Sequence, residues 1–393
     1  MKTMKWKFYS LAFVAGMSIL TACSSDDNND NDGNGGNGNG NEIENGTILK
    51  GTITSDVTLA AGNTYKLSGE YIVEEGATLH IEEGVKIIAV YDDIADYILV
   101  KQGGKINAVG TPDKPIVMTS EKEEPGAWGG IHICGRAHTN AEGGKGSSEI
   151  GGAVYGGNDD ADNSGTLQYI RLEYTGFAFD EEHEANGISF YSVGNGTIVD
   201  HCQAYKGSDD GFEFFGGSVN VSNLVAVSCS DDSFDWTEGW NGKGTNLVAY
   251  QEAESTLGYD CDCLMECDNN GSNNAATPVA HPVLKNLILV GNGGSKQGIR
   301  LRAGTKVEID NAKVCGKGQP LTVETALTEN ALKNGTSKLT NITLTSELSS
   351  KEGIYTHADF IAVTSNKVDA NLSYSSFEDI RKECSWMNGS WVK

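Results

Sequence analysis

Apolar residues along most of this chain occur in short runs that alternate with polar residues, and they do not recur at helical spacing. The runs with this alternation lie at 166–174, 187–191, 245–250, 283–290, 298–302, 306–314 and 338–345. Turn-forming residues separate them, and the chain has 50 glycines but only 6 prolines. Short alternating runs bounded by turn residues predict an all-β fold.

One segment of the chain occurs twice. SDDGFEFFGG at 208–217 is matched by SDDSFDWTEG at 230–239, and strand-like alternation precedes each copy. Several short strands that recur as a unit, without helical patterns, predict a β-solenoid in which each rung stacks on the next. If the repeat is one rung, its paired aspartates stack, Asp209 with Asp231 and Asp210 with Asp232. The aromatic residues expected to point into the core are Phe212, Phe214, Phe234 and Trp236.

Three segments upstream of the repeat resemble a known family. They read TYKLSGEYIVEEGATLHIEEGVKIIAV at 64–90, ILVKQGGKINAVGTPDKPIVMTS at 98–120 and GAWGGIHICGRA at 126–137. The series resembles the right-handed parallel β-helix surface lipoproteins of Bacteroidota, which have the pectate-lyase-like fold. The resemblance continues through the repeat and resumes at SWMNGSW near the C-terminus. Residues 252–282 depart from it and are expected to form a loop insertion.

The resemblance implies an all-β, right-handed parallel β-helix with capped ends. We expect the parallel β-helix to occupy residues 47–345 and a capping segment to occupy residues 346–393. Open ends of a solenoid need covers. Residues 47–63 are expected to cover one end, and a short helix at 374–384 the other, together with Trp386 and Trp391.

The N-terminus predicts export and attachment to a membrane. A basic start and an apolar run lead to Leu20-Thr21-Ala22-Cys23, which is typical of a signal peptide over 1–22 that ends at a lipoprotein cleavage site. Lipid on Cys23 would then anchor the chain. The rest of the segment 23–46 has almost no apolar side chain, so it is expected to be a disordered tether.

The expected location is the outer membrane, with the protein facing the cell exterior. Asp26 and Asp27 follow Cys23 directly and resemble the signal by which Bacteroidota export lipoproteins to the outer face. The expected partners are the membrane, through the lipid, and a glycan. A monomer is expected. The net charge of -25 excludes nucleic acid as a partner.

Eight cysteines remain when Cys23 is set aside: Cys134, Cys202, Cys229, Cys261, Cys263, Cys267, Cys315 and Cys384. An even number in an oxidising compartment permits disulfides, and the sequence leaves their pairing open. The close cluster from Cys261 to Cys267 has no histidine near it and fits zinc poorly. Bridging and idle thiols both remain open for it.

Stacked aspartates in the repeat suggest a cation. Four carboxylates would lie in one turn if Asp209, Asp210, Asp231 and Asp232 stack as the repeat predicts. Like charges one rung apart, at about 4.8 Å, repel one another. Calcium is the natural counter-ion because it takes six to eight oxygen ligands in loose geometry. The alternative is that the aspartates accept hydrogen bonds from turn amides.

The same acids allow an enzyme as an alternative. β-Helix glycoside hydrolases place aspartates on adjacent rungs, and Asp200, Asp209 and Asp210 resemble such a set. Lys296 and Arg300 could bind the carboxylate of an acidic sugar. In a metal-dependent lyase, a lysine or arginine of this kind could act as the base. The Gly-His-Gly motif of these hydrolases is absent, since neither His183 nor His201 is flanked by glycines.

Two further residues are predicted to bind a ligand. Trp240 lies beyond the repeat and is expected to be exposed, where its ring could stack on a sugar, and Arg302 could bind an acidic group. The predicted function is binding of a glycan or another surface ligand, with calcium as a candidate cofactor. The alternatives are a polysaccharide lyase or hydrolase and a structural adhesin.

Overall fold

The computed structural model describes residues 41–92, 94–179 and 183–393. The predicted signal peptide, Cys23 and the tether as far as residue 40 lie outside the described residues. No helix within the described ranges is long and apolar enough to cross a membrane.

Strands dominate the described part of the chain. In chain order they are β1 (Asn41–Ile43), β2 (Ile48–Ile53), β3 (Val57–Leu59), β4 (Thr64–Val73), β5 (Thr78–Ile81), β6 (Lys86–Ala89), β7 (Tyr97–Val100), β8 (Lys105–Val109), β9 (Ile116–Ser120), β10 (Ile131–Cys134), β11 (Gly146–Ser147), β12 (Val154–Tyr155), β13 (Gly165–Glu173), β14 (Ile188–Tyr191), β15 (Ile198–Tyr205), β16 (Phe212–Phe215), β17 (Asn220–Val227), β18 (Phe234–Thr237), β19 (Lys243–Tyr250), β20 (Met265–Cys267), β21 (Val283–Val290), β22 (Gln297–Leu301), β23 (Glu308–Cys315), β24 (Gln319–Val323), β25 (Lys338–Leu344), β26 (Ser349–Ser350) and β27 (Lys367–Val368). The helices are α1 (Glu254–Leu257), α2 (Ala326–Lys333), α3 (His357–Ala362) and α4 (Phe377–Glu383), with 3-10 turns at Glu142–Gly144 and Ser385–Met387.

These strands form three parallel sheets that wind along one axis. Sheet A contains β1, β3, β5 and β8, followed by the first halves of seven long strands, β13, β15, β17, β19, β21, β23 and β25. Sheet B contains the start of β4, then β6 and β9, the second halves of the same long strands, and finally β27. Sheet C runs from β4 through β7, β10, β14, β16, β18, β20, β22 and β24 to β26. The predicted right-handed parallel β-helix is confirmed.

The internal repeat is one rung of this helix, as predicted. Phe212 pairs with Phe234 and Phe214 with Trp236 in neighbouring strands of sheet C. All four rings are buried in the main core, and the Phe212 and Phe234 rings stack with centroids 5.6 Å apart. Identical positions in successive rungs therefore form continuous columns of apolar side chains.

A row of left-handed residues makes the bend between sheets A and B. Its later members are asparagines, with φ of 55° at Asn223, 60° at Asn246, 59° at Asn286 and 65° at Asn311. Asparagine tolerates this conformation better than other residues with a side chain. The carboxamides of Asn246, Asn286 and Asn311 each donate a hydrogen bond to the carboxamide of the asparagine in the preceding rung, at N–O distances of 2.8 to 2.9 Å. We call these four residues the amide ladder.

The β-helix begins earlier than the sequence indicated. Asn41–Ile43, expected to be part of the tether, forms β1 and pairs with β3. Residues 48–53, expected to cap the end, are a strand that pairs with β4. The reason is that Leu49 is buried in the core and Ile43 packs against it, so this segment is already a rung.

The C-terminal segment covers a flank of the helix, whereas the sequence placed it over the end. Helix α4 lies within the predicted 374–384, but Trp391 and the half-buried Trp386 pack with the outward residues of sheet B, such as Val225 and Val248. The expectation that they seal the end was wrong. Helices α1, α2 and α3 were not predicted, and β26 and β27 extend sheets C and B beyond residue 345.

All eight cysteines within the described residues are buried and free. The cluster Cys261, Cys263 and Cys267 therefore contains idle thiols, one of the two alternatives left open. Burial raises the pKa of Cys261 to about 12, so this thiol stays protonated.

Candidate functional site: an acidic cleft on sheet C

The turn that leads into sheet C places two aspartates in each of two consecutive rungs. Asp210 and Asp232 are the buried members. The Asp232 N–H donates to Asp210 Oδ1 at 2.8 Å, and the Cys263 N–H donates to Asp232 Oδ1 at 2.6 Å. These two carboxylates thus fill the turn role that the sequence offered as the alternative to a metal. Asp209 and Asp231 are more exposed and face a cleft.

A second set of acids projects from the strands of sheet C. Parallel register aligns Ser189, Glu213, Asp235, Glu266 and Arg300 in one row across five neighbouring strands. Each lies between two inward residues of its strand, so the alternation of a β-strand directs it outward. Three acids on consecutive rungs therefore stand side by side.

Loops on either side of the sheet complete an acidic cleft with a volume of about 230 Å³. Its lining is Glu149, Glu184, Asn186, Asp209, Asp210, Glu213, Asp231 and Asp235. Glu149 comes from the loop between β10 and β13, which packs on the outer face of sheet C through Ile150 and Tyr155. No lysine or arginine lines this cleft among the described residues.

The cleft disfavours ionised carboxylates when it holds no cation. Burial raises the pKa of Asp209 to about 7, and the charge of Asp231 adds to this rise. Burial raises the pKa of Asp231 to about 6 and that of Glu149 to about 7. The pKa values of Glu213 and Asp235 lie well above their usual range, again through burial first and neighbouring acids second.

The carboxylates lie close enough together to share cations. Oxygens of Asp209, Asp210 and Asp231 all lie within 4.8 Å of one another, and so do oxygens of Asp210, Glu213 and Asp235. Asp232 belongs to neighbouring groups, one with Asp235 and Glu266 and one with Asp262 and Cys263. The four aspartates named from the sequence are therefore together, but Glu213 and Asp235 share the cleft with three of them.

Two buried oxygens in the cleft have no hydrogen-bond partner among the described residues. They are Asn186 Oδ1 and Asp235 Oδ1. Asn186 is 1% exposed, and its amide donates to Ser189 Oγ at 3.0 Å and to Glu213 Oε2 at 2.5 Å. A buried oxygen without a partner is unfavourable, and such oxygens almost always accept a hydrogen bond or coordinate a cation. The residues present thus fit a hard cation.

The basic residues predicted to bind or catalyse lie beside the cleft and are already paired. Arg300 donates to Glu266 at 2.9 Å and pairs with Glu324 at 3.3 Å. Arg302 pairs with Glu266 and with Asp268, the latter at 2.7 Å. Lys296 pairs with Asp262 at 2.5 Å. Burial acts to lower the pKa of Arg300, but the carboxylates of Glu324 and Glu266 raise it above its usual value.

Asp200 does not join the other predicted catalytic acids. It lies in the sheet A part of β15 and contacts His201 at 2.8 Å, Ser222 at 2.7 Å and Asn223 at 2.7 Å. Burial acts to raise its pKa, but these hydrogen bonds lower it to about 2. The predicted triad with Asp209 and Asp210 was therefore wrong, because the chain turns through sheet B between them.

Trp240 is not an exposed platform. It is 2% exposed, stacks on Phe214 with centroids 4.2 Å apart, and donates to the Val219 carbonyl at 3.2 Å. The prediction was wrong because the turn after β18 folds the indole into the core column.

Sequence reasoning missed Glu213, Asp235, Asn186, Glu149 and Glu184 as site residues. A signal existed for the first two, because Glu213 aligns with Asp235 in the repeat and alternates with core aromatics. The other three come from loops whose path no repeat reveals.

Three parallel sheets joined by short turns define this chain as a parallel β-helix protein. It belongs to the family of pectate-lyase-like β-helix domains, whose family model matches residues 51–392. Among solved structures, the chain matches the Dettilon tailspike protein, at 8% identity and a TM-score of 0.31, over 76% of this chain and 56% of that one. No curated protein matches the chain.

Proposed function

We propose that this protein is a lipid-anchored surface protein that binds calcium in the acidic cleft and, through calcium, an acidic polysaccharide. The observation that carries the proposal is a pair of buried oxygens, Asn186 Oδ1 and Asp235 Oδ1, that have no hydrogen-bond partner in the described part of the chain and lie in a cleft lined by carboxylates. A cation there would accept electron pairs from both oxygens and remove the repulsion between the acids.

The donor set favours calcium over other metals. Its ligands would be carboxylate and amide oxygens from Asp209, Asp210, Glu213, Asp235 and Asn186, and calcium prefers six to eight oxygens in flexible geometry. Zinc and copper prefer sulfur and imidazole ligands, and neither lines this cleft among the described residues.

An acidic ligand follows from the placement of the cleft. Asp231 and Glu149 keep solvent-exposed surface, although their carboxyl groups lie deep enough for burial to raise their pKa values. The cleft is therefore open to solvent, and a bound calcium keeps coordination positions for a ligand. Without the cation, the carboxylates would repel a uronate. Binding is therefore expected to require calcium and to vanish with a chelator.

A lyase or hydrolase of the same fold is the second candidate, favoured by the family and by the arginines next to the cleft. Elimination requires an unprotonated base, and the raised pKa of Arg300 disfavours it in that role. A purely structural adhesin is the third.

Calorimetric titration of chelator-treated protein with calcium chloride, followed by polygalacturonate, tests the proposal. We expect heat from calcium binding and uronate binding that depends on calcium. The paired variant Glu213→Gln with Asp235→Asn should lose both, and Asp113→Asn, which changes an exposed acid that does not line the cleft, should lose neither.

Three results of this experiment would distinguish the proposed function from the lyase and the adhesin. Release of unsaturated sugar products would favour the lyase. Absence of calcium binding would overturn the cation site, and calcium binding without any uronate binding would leave the adhesin. The anchor is tested separately by labelling cells with a palmitate analogue, which Cys23→Ala should abolish.

A further inference from the structure

A second groove lies on the outer face of sheet B, between the amide ladder and the C-terminal segment. Its volume is about 320 Å³. Asn246, Asn286 and Asn311 line one side, Ser385 and Trp386 line the other, and Val248 contributes to the floor. The acidic cleft shares none of these residues.

The ladder offers a regular row of hydrogen-bonding groups to this groove. A carboxamide has two N–H donors and two acceptor lone pairs. Asn246 uses one donor towards Asn223 and one lone pair towards Asn286, and Asn286 is bonded in the same way between Asn246 and Asn311. One donor and one lone pair on each remain for a ligand, repeated at the rung spacing of about 4.8 Å.

The opposite wall supplies a flat apolar surface. Trp386 is half-buried, and its ring is held by Trp391 at 6.2 Å and by His201 at 6.4 Å between centroids. An aromatic ring held in this way can pack against the C–H face of a sugar with little loss of conformational freedom.

The charges in the groove are already paired with each other. Lys313 and Glu383 line it and form an ion pair at 2.5 Å, and Glu383 also accepts a hydrogen bond from Tyr374 at 2.8 Å. Neither charge is left to bind a charged ligand, and the rest of the lining is uncharged.

We propose that this groove binds a neutral saccharide, with one sugar ring on Trp386 and hydroxyl groups on the exposed edge of the amide ladder. The site is separate from the acidic cleft and does not use calcium. It gives the protein a second, cation-independent glycan contact.

The test is calorimetric titration of the full-length protein in EDTA with cellohexaose, xylohexaose and mannohexaose. We expect at least one of these neutral chains to bind, and Trp386→Ala to weaken that binding by about tenfold, equivalent to about 1.4 kcal/mol. Tyr91→Ala, which removes an exposed ring elsewhere (52% exposed), is the matched control and should change nothing.

A second variant allows the proposal to be tested even if Trp386→Ala fails to fold. Asn311→Gly suits the left-handed conformation and removes the side chain with its carboxamide, so it should fold and weaken binding. The proposal is overturned if none of the three chains binds, or if neither variant lowers the affinity. It is also overturned if Glu213→Gln abolishes the binding, because the sugar would then lie in the acidic cleft. Failure of calcium binding leaves this test unaffected.

Discussion

Asp235 illustrates how a single residue is shaped by its neighbours in space. It projects from a strand whose adjacent residues, Phe234 and Trp236, are buried, and it stands between Glu213 and Glu266 on the neighbouring rungs. One of its oxygens has no hydrogen-bond partner among the residues that the structure describes. An acid in this position is unfavourable for folding and is therefore informative about a ligand.

Asp235→Asn should stabilise the chelator-treated protein at neutral pH. The amide keeps the shape and removes the free-energy cost of burying this acid among other carboxyl groups, so the free energy of unfolding should rise by roughly 1 kcal/mol or more. Calcium should then stabilise the variant less than the wild type. Thermal unfolding with and without EDTA measures both effects, and a variant less stable than wild type in EDTA would contradict the argument.

The element that sets the shape of the long strands is the bend between sheets A and B. Left-handed backbone would be strained with most side chains, but asparagine accepts it, and the amide ladder links one rung to the next. The ladder therefore positions both the strands of sheet B and one wall of the second groove.

Asn246→Ala should destabilise the protein by about 2 kcal/mol or more, because it loses two side-chain hydrogen bonds and places alanine in left-handed backbone. Asn246→Gly loses the same hydrogen bonds without the backbone strain, so its loss should be smaller. Urea unfolding of the two variants compares them. Equal losses of unfolding free energy in the two variants would show that the left-handed backbone conformation does not affect stability.

The C-terminal segment is a second element with a clear energetic role. Trp391 is fully buried against the outer face of sheet B, so Trp391→Ala should cost roughly 3 to 5 kcal/mol. Trp386→Ala should cost much less because that ring is half-buried. Chemical denaturation monitored by circular dichroism distinguishes the two, and similar losses would contradict this packing.

At the scale of the whole molecule, charge is distributed unevenly. The chain carries a net charge of -25, and the acids with raised pKa values are concentrated at the cleft on sheet C. Stability, cation binding and pH dependence are therefore expected to be coupled through one region.

The chelator-treated protein should lose stability as the pH rises. The folded-state pKa is about 7 for Asp209 and about 6 for Asp231, compared with about 3.9 in an unfolded chain. The folded protein then holds extra protons between about pH 4 and pH 7, so the free energy of unfolding decreases across this window. Excess calcium should offset the decrease. Melting curves recorded in EDTA between pH 4 and pH 7 measure the decrease. A melting temperature that rises with pH in EDTA would contradict the assigned pKa values.

Local pattern by itself determined the solenoid, its rung length and the inward direction of Phe212 and Trp236, because strand alternation and a repeat are properties of neighbouring residues. The stacking of Asp209 on Asp231 followed from the same repeat. Only the tertiary structure decided that Asp200 lies in another sheet, that Trp240 is buried, and that Asn186 and Glu149 reach the cleft from loops. The path of a loop and the face covered by the C-terminal segment depend on packing between residues far apart in the chain, which no local pattern encodes.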